Sequence, residues 1–247
     1  MTIVVTGGTK GIGLAIARRL AAPGEIVALG FHRDKAAAAA AVAVIEAGGA
    51  RALAIQSDVG QIEGAAHLIE RATSFGGPLN CLVHSAAMIY PTSLLEADLE
   101  RFTRAVQTNG LSLLYLVQKA APLMPRGASV IFISSAGARQ ASPRYGALGA
   151  GKALAESLIR YLAAELAPRG VRINAVAPGL VRTTSVASMV GGEEAAERAF
   201  ERAAKTNPSG RMSLDEDYTE LVAFLAGPGA AFIQGQVIHA NGGAFLG

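Results

Sequence analysis

Seven short runs of apolar and β-branched residues recur along the chain, separated by longer stretches of helical composition. The core of the fifth run, Val130 to Ile133, is continuously apolar, as expected for a strand that is covered on both faces. Strands that alternate with helices predict a doubly wound α/β fold, with a mainly parallel seven-stranded sheet and helices on both faces. The runs fall at about residues 2 to 6, 26 to 31, 51 to 56, 79 to 84, 129 to 134, 171 to 176 and 236 to 240.

The length of the chain predicts one domain. With 247 residues, 51% of them hydrophobic, the chain can bury one substantial core, and no repeat or linker divides residues 1–247. The alanine-rich segment 35–47 predicts a helix, which Asp34 can cap and Gly48-Gly49 can stop. A long stretch without a strand signal is punctuated by Gly191-Gly192, which predicts a substrate lid at about residues 183–213.

Composition excludes several classes of partner. No apolar run approaches the ~20 residues needed to span a bilayer, so we expect a soluble, cytoplasmic protein without a membrane partner. The single cysteine, Cys81, allows no intrachain disulfide, and no metal site is expected. The net charge of +3 is scattered along the chain, which argues against nucleic acid but is compatible with an anionic cofactor or an acidic carrier.

A glycine-rich turn follows the first predicted strand and opens a helix. In that position glycines let backbone amides approach a pyrophosphate at the helix N-terminus. The turn therefore predicts dinucleotide binding on a Rossmann-type fold. The residues predicted to contact the cofactor here are Gly7, Thr9, Lys10, Gly11, Ile12 and Gly13.

The end of the second strand predicts which dinucleotide binds. An acidic residue there would accept hydrogen bonds from the ribose of NAD, but the strand ends in Phe31, His32 and Arg33. The guanidinium of Arg33 can pair with the 2′-phosphate of NADPH, and Lys10 adds a second cation nearby. Asp34 could instead reach the ribose, but we interpret it as the helix cap. NADPH is therefore the predicted cofactor.

The spacing of Gly7, Gly11 and Gly13 resembles that of the short-chain dehydrogenase/reductase family, and the resemblance runs over essentially the whole chain. It implies adenine contacts by Asp58 and Val59, and active-site roles for Asn109 and Ser135. The remaining cofactor contacts that it implies are Ser85, Ala86, Pro178, Gly179, Val181 and Thr183.

Two motifs depart from the family pattern. The usual Asn-Asn-Ala-Gly after the fourth strand is replaced by residues 84–87, His-Ser-Ala-Ala, and an Asp-Gly-Gly near the C-terminus is replaced by residues 241–243, Asn-Gly-Gly. His84 could be considered as a proton donor. A histidine that ends a buried strand is more often structural, and we interpret it so.

The family's tyrosine commonly lies four residues before its catalytic lysine, but here Leu148 precedes Lys152 at that distance. Tyr145 lies seven residues before Lys152, close to two helical turns, so both side chains can face one side. This spacing is similar to that of the enoyl-acyl-carrier-protein reductases, and the surrounding residues look closest to enoyl reductase III. Tyr145 could instead be an exposed residue near a helix start, with another group donating the proton.

The resemblance implies an NADPH-dependent reduction of the carbon–carbon double bond of an enoyl thioester. Lys152 would anchor the nicotinamide ribose, Tyr145 would stabilise or protonate the enolate, and Ser135 would orient the substrate or Tyr145. Asn109 would support the lysine through water. A ketoreductase of fatty-acid, polyketide or secondary metabolism is the alternative, and a nonenzymatic NADPH-sensing protein is a remote one.

Three further expectations concern the substrate and the partners. Apolar residues of the lid could line an acyl channel or form the packed face of a lid helix; they are Val186, Met189, Val190 and Phe200. By resemblance to carrier-dependent ketoreductases, Arg126 and Arg169 would meet an acyl-carrier protein. The family also implies a homotetramer through helices near 109–124 and 151–167, with small residues allowing close packing at Ala150, Gly151, Ala153 and Ala155.

Overall fold

The computed structural model, which describes residues 1–246, contains one seven-stranded sheet in the order β3-β2-β1-β4-β5-β6-β7. All neighbouring strands pair in parallel. The strands are β1 (Thr2–Thr6), β2 (Ile26–Phe31), β3 (Arg51–Gln56), β4 (Leu79–His84), β5 (Ser129–Ile133), β6 (Arg172–Pro178) and β7 (Val237–Ala240).

Helices connect the strands. The helix α5 is preceded by a five-residue π-helical turn, Gln107–Leu111. The helices are α1 (Gly11–Leu20), α2 (Lys35–Ala47), α3 (Ile62–Gly76), α4 (Leu99–Val106), α5 (Ser112–Ala120), α6 (Gly146–Leu166), α7 (Thr184–Val190), α8 (Glu193–Thr206) and α9 (Asp215–Ala226).

Successive residues of the central strands enter two different cores. Val4 packs in one core together with buried side chains of α3, α5 and α6. Its neighbours Ile3 and Val5 pack in the other core, with buried side chains of α1, α2 and α9. Because side chains alternate between the faces of a strand, a strand covered on both faces must be apolar at every position. This confirms the fold class predicted from the continuous apolar runs.

The predicted elements agree closely with the observed ones. The strands begin and end within two residues of the predicted bounds. The alanine-rich helix occupies Lys35–Ala47, and Asp34 caps it by accepting a hydrogen bond of 2.9 Å from the amide of Ala37. The predicted lid is formed by α7 and α8, which are separated at Gly191 and Gly192, both with positive φ. That this segment moves as a lid stays a prediction.

Residues 1–246 include no helix that has both the length and the apolar character to cross a bilayer. The same residues bring together no group of three or more histidine, cysteine, aspartate or glutamate side chains suited to a metal ion. Cys81 is buried, and burial raises the pKa of its thiol to about 11. A thiol in this state is not a nucleophile at neutral pH.

Candidate active site

Two cavities open at the edge of the sheet where the parallel strands end. The large cavity has a volume of about 570 Å³ and the small cavity about 480 Å³. Gly7 and Ala86 line both, so the cavities meet at the ends of β1 and β4. The strand order reverses at this point, which is where doubly wound sheets bind dinucleotides.

The glycine turn is shaped by contacts that exclude side chains. Gly7 and Gly11 have φ values of +62° and +48°. A Cβ atom added at Gly7 would lie 2.9 Å from the Cα of Ala86, and one added at Gly13 would lie 2.3 Å from the oxygen of Gly7. The helix α1 begins at Gly11, so its first amides lack partners within the helix. The turn thus leaves a side-chain-free cradle beside a helix N-terminus, which suits a pyrophosphate.

Most of the predicted cofactor residues line one of the two cavities. Thr9 lines neither; it is buried behind the turn. The predicted residues that line the large cavity are Gly7, Lys10, Gly11, Ile12, Gly13, Ser85, Ala86, Lys152, Pro178, Gly179, Val181 and Thr183. Those that line the small cavity are Gly7, Arg33, Asp58, Val59 and Ala86.

The small cavity is surrounded by basic side chains. Besides Arg33 and His32 it is lined by Arg101 and Arg104 of α4, which the sequence reasoning did not single out. Their separation by three residues puts both on one face of a helix, which is the signal that could have identified them. Asp58 accepts a hydrogen bond of 3.0 Å from the amide of Gly60.

Lys10 is engaged differently from the prediction. Its ammonium forms an ion pair with the carboxylate of Asp34, and it lines the large cavity rather than the small one with Arg33. The amide of Ala37 and the ammonium of Lys10 both hold the pKa of Asp34 below its ordinary value. Lys10 therefore neutralises the carboxylate beside Arg33 instead of standing free as a second cation, because the turn brings it within reach of Asp34.

Tyr145 lies immediately outside α6, as the residue that precedes its first turn. Its hydroxyl is 3.0 Å from the Ser135 hydroxyl, and its ring packs so closely on Gly137 that a Cβ there would lie 2.3 Å from the ring. Arg144, just before it, has a positive φ of +60°. Burial raises the pKa of the Tyr145 phenol, so the phenol keeps its proton at neutral pH.

Lys152 is buried in α6, with 4% of its surface exposed. Its ammonium donates a hydrogen bond of 2.5 Å to the carbonyl oxygen of Ile133 and lies 4.6 Å from the centre of the Phe132 ring. Burial lowers the pKa of this lysine to about 8. Tyr145, Lys152 and Ser135 all line the large cavity, so the structure brings the predicted pair together.

Leu148 occupies the position where the common family pattern has its tyrosine. Its side chain lines the large cavity and is 5% exposed. The wall of the cavity one turn before Lys152 is therefore apolar. The hydroxyl-bearing residues that line the cavity from this region are Tyr145, Ser134, Ser135 and Ser142, of which Ser134 donates its hydroxyl to Glu156.

Asn109 is fully buried in the π-helical turn and lines neither cavity. Its amide accepts a hydrogen bond of 2.8 Å from the backbone nitrogen of Met88 and donates one of 3.0 Å to the Met88 oxygen. The turn packs closely on α6, because a Cβ on Gly110 would lie 2.6 Å from the Gly151 oxygen. The side chain thus fastens the loop after β4; support of Lys152 through water stays a prediction.

His84 is held neutral in a buried network. Two amides of residues 85–86 donate to the hydroxyl of Thr6, which leaves its proton for the Nδ1 atom of His84, 2.7 Å away. The hydroxyl of Ser112 donates to the oxygen of Thr108 and so accepts from Nε2 at 2.6 Å. Burial lowers the pKa of this imidazole to about 3. The network supports the structural interpretation of His84.

The lid residues divide between the two expected roles. Val186, Met189 and Val190 line the large cavity. Phe200 is buried within the lid in a small cluster, with the guanidinium of Arg182 4.5 Å from its ring centre. The apolar wall is thus supplied mainly by α7, with Ala199 of α8 beside it, whereas Phe200 of α8 packs within the lid.

The predicted carrier contacts lie away from the cavities. The turns that carry Arg126 and Arg169 come together, since Arg126 donates to the oxygen of Pro168 at 3.2 Å. Both turns precede strands, β5 and β6, so they lie at the opposite edge of the sheet from the cavities. Carrier docking at these arginines stays a prediction.

The small residues of α6 are partly used within the chain. Gly151 packs on Asn109, where an added Cβ would lie 2.6 Å from the Asn109 Cβ, and Ala155 is fully buried in the core. Ala150 is exposed and Ala153 is half-buried. Only the last two remain for the predicted assembly of four subunits, which stays a prediction.

Comparisons with known proteins agree with this geometry. A family model described as enoyl-(acyl carrier protein) reductase matches residues 7–244. The 1-cyclohexenylcarbonyl-CoA reductase of Streptomyces collinus is 31% identical over 97% of this chain and 85% of its own length. A 3-oxoacyl-acyl-carrier-protein reductase of Staphylococcus aureus is 33% identical over 98% of this chain and 97% of its own length.

A solved structure shows the same architecture. The short-chain dehydrogenase from Burkholderia cenocepacia, crystallised in complex with NADP, superposes with a TM-score of 0.88 at 31% identity, covering 98% of this chain and 97% of that one. The shared fold, the glycine cradle and the tyrosine and lysine at one cavity lead to one assignment. The chain belongs to the short-chain dehydrogenase/reductase family of oxidoreductases.

Proposed function

We propose that this protein is an NADPH-dependent reductase of the carbon–carbon double bond of enoyl thioesters. The observation that carries the proposal is the arrangement along α6. Leu148 presents an apolar wall where a ketone would need a hydroxyl, and the phenol of Tyr145 comes from the residue just before the helix, seven positions before Lys152. A displaced acid suits a reaction in which negative charge develops away from the carbon that is reduced.

The residues present fit NADPH. The cradle of Gly7 and Gly13 excludes side chains and leaves room for a pyrophosphate, and the small cavity beyond it is lined by Arg33. The carboxylate of Asp34, which would repel a 2′-phosphate, is neutralised by Lys10. The bound NADP of the similar Burkholderia enzyme supports the same choice.

The chain's own groups would act on the thioester oxygen. When bound, NADPH would supply a hydride for the β-carbon of an enoyl thioester, which would place negative charge on the thioester oxygen, and a proton from solvent at the α-carbon would complete the saturated thioester. The Tyr145 hydroxyl, protonated at neutral pH because burial raises its pKa, would donate a hydrogen bond or a proton to that oxygen. Ser135, 3.0 Å from the phenol, would fix its direction, and the ammonium of Lys152 would bind ribose hydroxyls and supply positive charge.

The substrate class is supported by the walls of the cavity and by the relatives. Leu148, Val186, Met189 and Val190 form an apolar surface suited to an acyl chain. The Streptomyces collinus relative is named as a reductase of 1-cyclohexenylcarbonyl-CoA, which is a thioester. The description of the matching family model is enoyl-(acyl carrier protein) reductase.

Reduction of a β-keto thioester is the second candidate. It is favoured by the hydrogen bond between Tyr145 and Ser135, because a pair of hydroxyls 3.0 Å apart at the cavity could also bind a carbonyl oxygen. The Staphylococcus aureus relative has this activity by name. The two candidates share their cofactor and differ in the position of the atom that accepts the proton.

The deciding experiment measures NADPH consumption with crotonyl and acetoacetyl thioesters of coenzyme A, alongside a panel of aromatic ketones. We expect faster turnover of the crotonyl thioester, with butyryl thioester as the product. A clear preference for the acetoacetyl thioester would overturn the proposal in favour of the second candidate. NADPH binding without oxidation by any member of the panel would contradict both and favour a nonenzymatic protein.

A further inference from the structure

Glu156 is a buried carboxylate that the proposed reaction does not use. It lies on α6 four residues after Lys152, and 3% of its surface is exposed. A carboxylate removed from water is costly unless hydrogen bonds compensate it. Two donors do so here: the Ser134 hydroxyl at 2.6 Å and the Nε atom of Arg139 at 2.9 Å.

The last residue of β5 and the two residues that follow it hold three groups associated with α6. The oxygen of Ile133 accepts from the ammonium of Lys152. The hydroxyl of the next residue, Ser134, donates to Glu156, and the hydroxyl of Ser135 pairs with Tyr145. Lysine, carboxylate and phenol are therefore fixed to one short segment, so a change at the carboxylate affects the frame that carries the other two.

Glu156 also acts on Lys152 by its charge. Residues four apart lie on the same face of a helix, with Cβ atoms about 5–6 Å apart, and a nearby carboxylate favours the charged form of a lysine. Burial lowers the pKa of Lys152 to about 8, and the charge of Glu156 opposes that decrease. Little other charge can do so, because the neighbouring His84 is neutral and the Phe132 ring contributes only a cation–π contact.

The charged and titratable groups around Glu156 partly compensate the negative charge of its carboxylate. Arg139 forms an ion pair with it across 2.9 Å, from a half-exposed position. Burial is the main cause that lowers the pKa of His239. The charge of Arg139 lowers that pKa further, and the charge of Glu156 raises it. The carboxylate is therefore paired directly with a half-exposed guanidinium and acts on the buried ammonium of Lys152 only through its charge.

We infer that Glu156 is a positioning residue, which keeps Lys152 in its charged form and ties the end of β5 and Arg139 to the helix that carries that lysine. Its chemical contribution goes through Lys152, not through contact with substrate. The inference assigns a role to a residue outside the tyrosine, lysine, serine and asparagine group.

The test observes Lys152 directly by nuclear magnetic resonance. The chain has five lysines, and Lys152 is buried whereas the other four are exposed. In protein labelled with ¹³C at lysine Cε, the signal of Lys152 should titrate near pH 8, and its assignment follows from its loss in Lys152→Arg. This measurement requires neither substrate nor cofactor.

Glu156→Gln should move the Lys152 titration to lower pH by about one pH unit, because the attraction that favours the ammonium is removed. In Glu156→Asp, which keeps the negative charge, the Lys152 titration should return most of the way to its pH in the unmodified protein. Glu165→Gln, an exposed exchange on the same helix, is the matched control and should leave it unchanged. An unchanged titration in folded Glu156→Gln would overturn the inference.

Arg139→Gln provides a second arm, which also decides the matter should Glu156→Gln not fold. Removing the guanidinium leaves the carboxylate to act on the lysine alone, so the Lys152 titration should move to higher pH. A titration that stays in place or moves down in this variant would contradict the inference.

The kinetic arm rests on the proposed function. With an accepted thioester, the alkaline decline of kcat/KM should occur at lower pH in Glu156→Gln than in Glu165→Gln. If no substrate of the panel turns over, the proposed function fails. The nuclear magnetic resonance titration still tests the role of Glu156, because it requires no substrate. A shifted titration without a shifted rate profile would overturn the catalytic consequence of the role.

Discussion

The two cavities that meet at Gly7 differ in the chemistry of their walls. The small cavity is lined by exposed basic side chains, among them Arg33, Arg101 and Arg104. The large cavity is lined mainly by apolar side chains around one buried cation, Lys152. Charge on the exposed side chains of the first is screened by solvent, whereas the buried ammonium of Lys152 in the second is screened much less. Substitutions of the basic residues in the small cavity should change affinity for the cofactor, whereas loss of the Tyr145 hydroxyl or of the Lys152 charge in the large cavity should change rate.

Tyr145→Phe gives the largest expected effect. Loss of the hydroxyl should lower kcat by about 10²- to 10⁴-fold, the usual contribution of a positioned acid, because the proton or hydrogen bond to the thioester oxygen is lost. The dissociation constant for NADPH, measured by fluorescence titration, should stay nearly the same. Tyr161→Phe on the exposed face of α6 is the control. Full turnover by the Tyr145 variant would remove the phenol from the reaction.

Arg33→Asp tests the small cavity. The variant should bind NADPH about ten- to a hundredfold more weakly, because a charge-assisted pair with the 2′-phosphate is replaced by repulsion, and it should prefer NADH. Comparison of kcat/KM for the two cofactors measures the inversion. Arg71→Asp makes the same change of net charge on the exposed surface of α3 and should not alter the preference. Equal weakening of NADPH binding and NADH binding would show that the Arg33 guanidinium does not contact the 2′-phosphate.

The pH dependence tests the buried cation. Burial lowers the pKa of Lys152 to about 8, so the ammonium is present below that pH and lost above it. We therefore expect kcat/KM for reduction to fall as the pH rises through about 8, by tenfold per pH unit at the limit. A rate that stays level from about pH 7 to about pH 10 would mean that the lysine is not the controlling group.

Met189→Ala addresses the apolar wall. Removal of this side chain from the large cavity should raise KM for a long-chain enoyl thioester several-fold, at about 0.8 kcal/mol for each methylene contact that is lost. The crotonyl thioester should be affected less. Leu123→Ala is the control, because this side chain is exposed and lies far from the lid in the sequence. Identical effects on short and long thioesters would place the acyl chain elsewhere.

The double exchange Arg126→Glu and Arg169→Glu gives the smallest expected effect. If a carrier protein meets these arginines, turnover of a carrier-bound substrate should fall several-fold while that of a coenzyme A thioester stays constant. The distance of the pair from the cavities makes a larger effect unexpected. Equal results with both substrates would reject the contact.

Features that depend on local spacing could be predicted from the sequence. The strand bounds, the glycine cradle and the capped helix after Asp34 follow from periodicity and from short-range hydrogen bonds. Each of these features is decided by backbone geometry, which a few residue types determine. Tyr145 and Lys152 line one cavity although Tyr145 lies just outside α6, so helical periodicity alone does not account for their placement.

Partner choices of polar side chains could not be predicted in the same way. Lys10 pairs with Asp34, and Asn109 with the backbone of Met88, because side-chain rotamers and the packing of distant segments select among several donors and acceptors. Glu156 could have been suspected from its position one turn after Lys152. Its second partner, Arg139, depends on a loop whose path the sequence does not specify.

The two main groups of the large cavity are carried by different kinds of structure. Lys152 belongs to the rigid interior of α6, whereas Tyr145 stands just before the helix, at the end of a turn that includes the left-handed Arg144. Changing the length of that turn would slide the acid along the cavity while the cation stayed where it is. An ancestral scaffold of this kind can thus acquire a new site of protonation by a small insertion or deletion, and loop grafting offers protein engineers the same route.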